Sequence, residues 1–171
     1  LIAIFGAEAV FPNVEIHKGK NKVSEIDCLV IYGEYALIFQ AKSQRLSLQA
    51  RKGRLEVLQE NFRTSIQRAY DQARTCAESF HDMGARLRCS DGREPDVSKV
   101  ELAYPICVLA DHYPALSLMA RSFLATTTND RFGPPLICDL FLIDVISEMV
   151  SSPLRFLSYI TLRAKFGERI F

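Results

Sequence analysis

Residues 23–42 read VSEIDCLVIYGEYALIFQAK, two runs rich in β-branched and aromatic side chains on either side of Gly33-Glu34. A two-residue loop with glycine first is a good hairpin turn, because glycine adopts positive φ without steric cost. Both runs are apolar on both faces over most of their length. The hairpin is therefore expected in the middle of a sheet that is covered on each side. A turn at Gly33-Glu34 sets Tyr32 opposite Tyr35, Asp27 opposite Gln40 and Glu25 opposite Lys42. Opposed residues share one side of a sheet, and so do residues two apart on a strand. The spacing predicts Glu25, Asp27, Gln40 and Lys42 together on one face at the open end of the hairpin, beside the apolar Leu29, Ile31 and Ile38.

Before the hairpin, Val14 to Ile16 reads as a short strand, followed by a polar turn from His17 to Lys22. After it come Lys42, Arg45, Arg51, Lys52 and Arg54, with no acidic residue among them. Leu55, Leu58, Phe62, Ile66, Ala69, Ala73, Cys76, Phe80 and Met83 then recur at steps of three and four. That is the apolar stripe of one long helix, with Gly84 as its stop. Ser90-Asp91-Gly92 reads as a turn closing a small peripheral hairpin. Residues 100–110 read as a strand broken or bounded near Pro105, residues 115–124 as a short helix and residues 136–145 as a buried strand. Pro153 opens a terminal helix. Strands interleaved with helices predict an α/β domain with a mixed central sheet flanked by helices.

The chain has 171 residues, a length that suits a single domain with its own core. Its 21 Lys plus Arg against 20 Asp plus Glu exclude a uniformly basic nucleic-acid binder and leave room for a local basic patch. Hydrophobic residues at 49% and charged residues at 24% exclude a disordered chain. No apolar run approaches the roughly 18 residues of a membrane span, and no charged-then-apolar leader opens the sequence. The expected compartment is the cytoplasm. The five cysteines are well separated and lack zinc-ligand spacing, so they read as reduced core residues. The sequence begins inside an apolar stretch at Leu1, which reads as a fragment of a longer protein.

The polar cluster on the hairpin carries the chemistry. Charged groups beside an apolar floor are costly unless paired or bound to an ion. Asp27 and Gln40 both offer oxygens that suit a hard cation such as magnesium. Lys42 brings a positive charge that could orient or deprotonate an attacking water, or neutralise charge on a phosphorane. In outline this is a site for metal-assisted hydrolysis. The alternative reading is a structural Asp27–Lys42 ion pair with Glu25 solvated. Cys107 with Asp111-His112 forms the elements of a thiol hydrolase, but nothing in the sequence activates that thiol.

Glu25-Ile26-Asp27 followed by Gln40-Ala41-Lys42 resembles the active-site pattern of the PD-(D/E)XK nuclease superfamily, an Asp on one core strand and acid-x-Lys on the next. Gln40 in place of the acid is similar to the QxK variant of Mrr-type restriction enzymes and some nuclease-related domains. The resemblance extends from Val14 to about Ala110. It implies a restriction-endonuclease-like αβββαβ core whose first helix lies mostly upstream of Leu1. It further implies hydrolysis of DNA phosphodiester bonds with Mg2+ or Mn2+. Asp27 would then be the principal metal ligand, Gln40 the second and Lys42 the catalytic lysine. Ile26 stands where many members have proline. Gln40 carries no charge, so the site needs help from another carboxylate, for which Glu8 and Glu25 are the candidates. Related nucleases carry a Gln and a Tyr on the long helix near the phosphate. Gln72 and Tyr70 fit that description, although Tyr70 also fits simple packing. Arg45, Arg51, Lys52 and Arg54 would lie along the nucleic-acid backbone, or else form a solvated basic loop. The competing function is a non-catalytic module of the same fold that binds nucleic acid or a protein partner. Cutting both strands of a duplex would be easier for a homodimer.

Overall fold

Gly33, at φ 60°, turns the chain between two long central strands, β2 (Asn21–Tyr32) and β3 (Tyr35–Lys42). They pair antiparallel with Tyr32 opposite Tyr35 and Cys28 opposite Phe39, the register expected over that stretch. A computed structural model describes residues 1–43, 47, 49, 54–110, 124–127 and 129–167. Around the hairpin, in chain order, lie α1 (Ile2–Phe5), β1 (Val10–Lys18), α2 (Leu55–Phe62), α3 (Arg68–Ser79), β4 (Ala85–Cys89), β5 (Leu102–Leu109), β6 (Leu136–Asp139), α4 (Leu140–Met149) and α5 (Pro153–Gly167). The six strands form one sheet in the order β4-β1-β2-β3-β5-β6. Pairing is antiparallel from β4 to β3 and parallel for β3–β5 and β5–β6. The protein is thus a mixed α/β structure.

Both faces of the sheet are covered over the middle of β3, which explains its apolar run: Ala36, Leu37, Ile38 and Phe39 are all buried. Ala36 and Ile38 pack in one cluster with Phe62, Ile66, Ala69, Ala73 and Cys76 of the long helical segment. Leu37 and Phe39 face the other way, toward Phe5 of α1, Ile143 and Ile146 of α4, and Phe156 and Ile160 of α5.

Several elements differ from expectation. β1 is longer than the predicted Val14–Ile16, and it pairs with β4 on one side and β2 on the other. The Ser90-Asp91-Gly92 turn follows β4, an edge strand of the main sheet, and closes no separate hairpin. The long helix is interrupted by a π turn, Arg63–Gln67, and ends at Ser79 rather than Gly84. The strand expected over 136–145 stops at Asp139. There the Asp139 carboxylate accepts the Leu142 N–H at 2.6 Å and caps α4, so Leu140 onward is helical. The short helix expected over 115–124 falls almost wholly outside the described residues.

β5 runs through Pro105 without a break. Ala103 N–H points away from β3, toward Arg131, and Pro105 has the same parity. The missing N–H of Pro105 therefore faces the side where pairing with β6 begins only at Ile106, and no ladder bond is lost.

One irregularity shapes the site. In the β1–β2 pair Val10 lies opposite Val30 and Val14 opposite Ile26. Residues four apart on a regular strand share a face. Here Val10 and Val30 belong to the α4–α5 side, whereas Val14 and Ile26 belong to the α2–α3 side. The pleat slips by one residue in both strands at the same level, between Pro12 and Val14 and between Cys28 and Ile26. Asn13 has φ 48°, a left-handed conformation that asparagine tolerates better than most residues. Asp27 lies at the same level on β2.

Candidate functional site

The β2–β3 ladder ends at Cys28–Phe39, and beyond that rung the two strands separate. Side chains take over where backbone pairing stops. Asp27 Oδ2 accepts the Ala41 N–H at 2.7 Å, in place of a β2 carbonyl. Ala41 lies between Gln40 and Lys42, so the Asp27 carboxylate is fixed against the Gln40-Ala41-Lys42 segment. Asp27 is half-buried. Its charge adds to the burial that pushes the thiols of Cys28 and Cys76 up to about 11. Those thiols lie on opposite sides of the sheet, which fits a carboxylate near the sheet plane.

Gln40 is fully buried. Its Nε2 donates to the Glu25 carbonyl at 2.8 Å, and its Oε1 is buried with no hydrogen-bond partner. Leaving a buried acceptor unpaired costs roughly 1–3 kcal/mol, so an atom of this kind marks a place for a water or an ion. Lys42 is half-buried, and its Nζ donates to Gln72 Oε1 on α3 at 3.2 Å. Gln72 Nε2 in turn donates to the Glu25 carbonyl at 3.0 Å, and Cys76 Sγ approaches the same oxygen at 3.4 Å. Asp27, Gln40, Lys42 and Gln72 thus surround the fork between β2 and β3.

Glu25 and Glu8 do not join them. Ser24 Oγ meets Cys76 Sγ at 3.1 Å and Ile26 is buried against the same helix, so the Glu25 side chain between them projects to the opposite face. There it pairs with Lys22 at 2.6 Å, and Lys22 also holds Glu15 at 2.9 Å. The expectation of four polar residues on one face fails because the pleat slips at Asp27. Glu8 lies in the turn before β1, at the far end of β2, where Ile31 N–H donates to Ala9 O. Four residues of strand, roughly 13 Å at about 3.3 Å per residue, separate Ile31 from Asp27. Among the described residues no three His, Cys, Asp or Glu side chains gather as a metal-binding group.

Tyr70 serves packing. Its ring is buried against Phe132, with centroids 5.6 Å apart, and its hydroxyl bonds both the Thr127 N–H and the Thr127 carbonyl at 2.8 Å. Both its ring and its hydroxyl are thus engaged within the protein. Gln67 makes a similar two-bond clip to Ala125, so these two side chains fasten residues 125–127 to the helix. Tyr70→Phe removes one partner from both backbone groups of Thr127. It is expected to cost about 1–2 kcal/mol, measurable by urea denaturation. A variant as stable as the parent would show that the clip contributes nothing.

Of the basic segment, Arg54 is exposed at the start of α2, while Arg45, Arg51 and Lys52 lie outside the described residues. Cys107 is buried and its thiol is pushed up to about 12, chiefly by burial, so it is no nucleophile at neutral pH. His112 lies outside the described residues. A cleft of about 440 Å³ opens at Asp27 and is lined also by Asn13, Glu15, Glu25, Arg88 and Ser90. Neither the cleft nor the role of Asn13 was foreseen. The available sign was the Pro12-Asn13 pair, turn-forming residues placed inside a strand. No helix among the described residues is long and apolar enough to cross a membrane. Comparison of the chain with protein families, characterised proteins and solved structures finds no match.

Proposed function

We propose that the chain is a metal-dependent nuclease domain of the restriction-endonuclease-like kind, hydrolysing phosphodiester bonds of DNA. One observation carries this reading: at the fork between β2 and β3, the Asp27 carboxylate is bonded to the N–H of Ala41, the residue between Lys42 and Gln40, and Gln40 carries a buried, unpartnered Oε1. The order hairpin, long helix and parallel β5 also agrees with the αβββαβ core that the sequence motif implies.

The residues present fit a divalent cation. A carboxylate and an amide oxygen are hard ligands, and magnesium usually keeps several waters, so two protein oxygens suffice. Asp27 and Gln40 would hold the ion. When bound, such an ion supplies Lewis-acid stabilisation of phosphoryl charge and lowers the pKa of a water. Lys42 places a positive charge where negative charge grows on the phosphoryl oxygens, and Gln72 restricts that ammonium to one position. Exposed Arg54 offers a phosphate contact whose strength falls with salt, and the same part is proposed from the sequence for Arg45, Arg51 and Lys52, which lie outside the described residues.

The test is cleavage of supercoiled plasmid and single-stranded DNA in magnesium by the parent and by Lys42→Ala. The parent is expected to cut, and the variant to be slower by roughly 100-fold or more. Equal cutting by both would mean that Lys42 has no part in the chemistry. A second reading is favoured by one fact: among the candidate carboxylates only Asp27 reaches the fork. A domain that binds DNA without cutting it would shift a labelled oligonucleotide while leaving plasmid intact in magnesium and in manganese.

A further inference from the structure

Lys42 and Gln72 sit on different elements, one on the central strand β3 and the other on α3, yet the Lys42 ammonium donates to Gln72 Oε1 at 3.2 Å. The second bond of Gln72 decides which end of its amide faces the lysine. Its Nε2 donates at 3.0 Å to the Glu25 carbonyl, which can only accept, so the oxygen must turn toward Lys42. Gln40 meets the same carbonyl in the same sense at 2.8 Å. The Glu25 backbone, exposed to these donors where β2 leaves the ladder, thus orients Gln72, and Gln72 orients Lys42.

We propose that Gln72 is the positioning residue of Lys42: it holds the ammonium at the fork between β2 and β3 and acts on hydrolysis only through that lysine. A lysine side chain has many rotamers and a mobile point charge. Tethered at Nζ, it presents its charge in one place, and misplacement by about 1 Å is enough to cost a reaction roughly 100-fold. The sequence motif implied a different part for this glutamine, positioning of the phosphate. The two roles separate kinetically. A residue that touches substrate in ground and transition state alike changes KM, whereas one that only aims the lysine changes kcat. The kinetic half of the proposal rests on the nuclease reading, and the contact itself does not.

The experiment combines a spectroscopic signature with kinetics on the full chain. In protein labelled with 15N-lysine, the Lys42 ammonium cross-peak, assigned by its absence in Lys42→Arg, persists at low temperature only if a hydrogen bond slows exchange with water. It is expected in the parent and in Gln72→Glu, which keeps an acceptor, and absent in Gln72→Leu. Both variants leave the Glu25 carbonyl with its Gln40 donor, and circular dichroism checks that they are folded. In magnesium-dependent plasmid cleavage, Gln72→Leu should lose roughly 10- to 100-fold in kcat with KM within about twofold, and Gln72→Glu should recover most of it. A cross-peak that persists in Gln72→Leu overturns the proposal, as does a raised KM with unchanged kcat. If the parent cuts no DNA, the nuclease reading falls and the cross-peak alone decides: its loss in Gln72→Leu upholds the positioning role, its survival overturns it.

Discussion

Asp27→Asn is expected to lose magnesium-dependent DNA cleavage by at least about 100-fold while keeping the stability of the parent to within about 0.5 kcal/mol. The substitution separates two jobs done by one carboxylate. Asparagine retains an acceptor oxygen for the Ala41 N–H, now bonded at 2.7 Å, so the fork between β2 and β3 stays closed by the same contact. What is lost is the negative charge that a hard cation requires. A deficit of about 3 kcal/mol in transition-state stabilisation already amounts to two orders of magnitude in rate. Asp27→Ala is the companion. It loses the charge and also the acceptor, and it should destabilise by about 1 kcal/mol, the lower end for an unpaired N–H because the position is open to water. Cleavage rates measured beside urea melts distinguish the cases. An asparagine variant that cuts like the parent would remove the proposed chemistry from this site.

Phe156→Ala is expected to destabilise the protein by about 3–5 kcal/mol, a large part of the roughly 5–15 kcal/mol that a domain possesses. Phe156 is completely buried and meets Phe5 edge to face, with centroids 5.4 Å apart and rings inclined by 79°. It sits in the cluster that joins α1, α4 and α5 to the sheet face formed by Val30, Leu37 and Phe39. Truncation loses the transfer energy of the ring and leaves a cavity that elements anchored to a sheet cannot readily fill. Leu154, two residues earlier on the same helix, is 66% exposed, and Leu154→Ala should change stability by less than about 0.5 kcal/mol. Urea melts with unchanged m values would establish both results. A loss at Phe156 below about 1 kcal/mol would mean that α5 contributes little to the core.

The central hairpin was legible because two signals agreed, a glycine suited to positive φ and strands too apolar for any exposed face. Leu140 to Val145 was misread because a short apolar run looks the same as a buried strand or a buried helix segment. The residue that decides is Asp139, a cap whose meaning depends on the chain turning there. The long helix was legible from its stripe, but its π turn was not, since Phe62, Ile66, Ala69 and Ala73 still reach the core across it.

The site was legible in part. Gln40 and Lys42 share a face of β3 as alternation requires, and the helix supplies Gln72 as one of the candidates named from the sequence. The placement of Glu25 was wrong because it assumed a regular pleat as far as the open end. The slip depends on Asn13, a neighbour on another strand, and on a conformation that one sequence does not announce.

The level of the sheet that contains Asn13 and Asp27 behaves as an inserted rung. Strike out both residues together and Pro12 would be followed by Val14, and Ile26 by Cys28, in strict alternation, with every apolar side chain of β1 and β2 on the face it now occupies. Delete one alone and half of its strand would turn inside out. The hydrophobic clusters on the two faces of the sheet therefore have no need of this rung, and the one ionisable group it carries is not required by their packing.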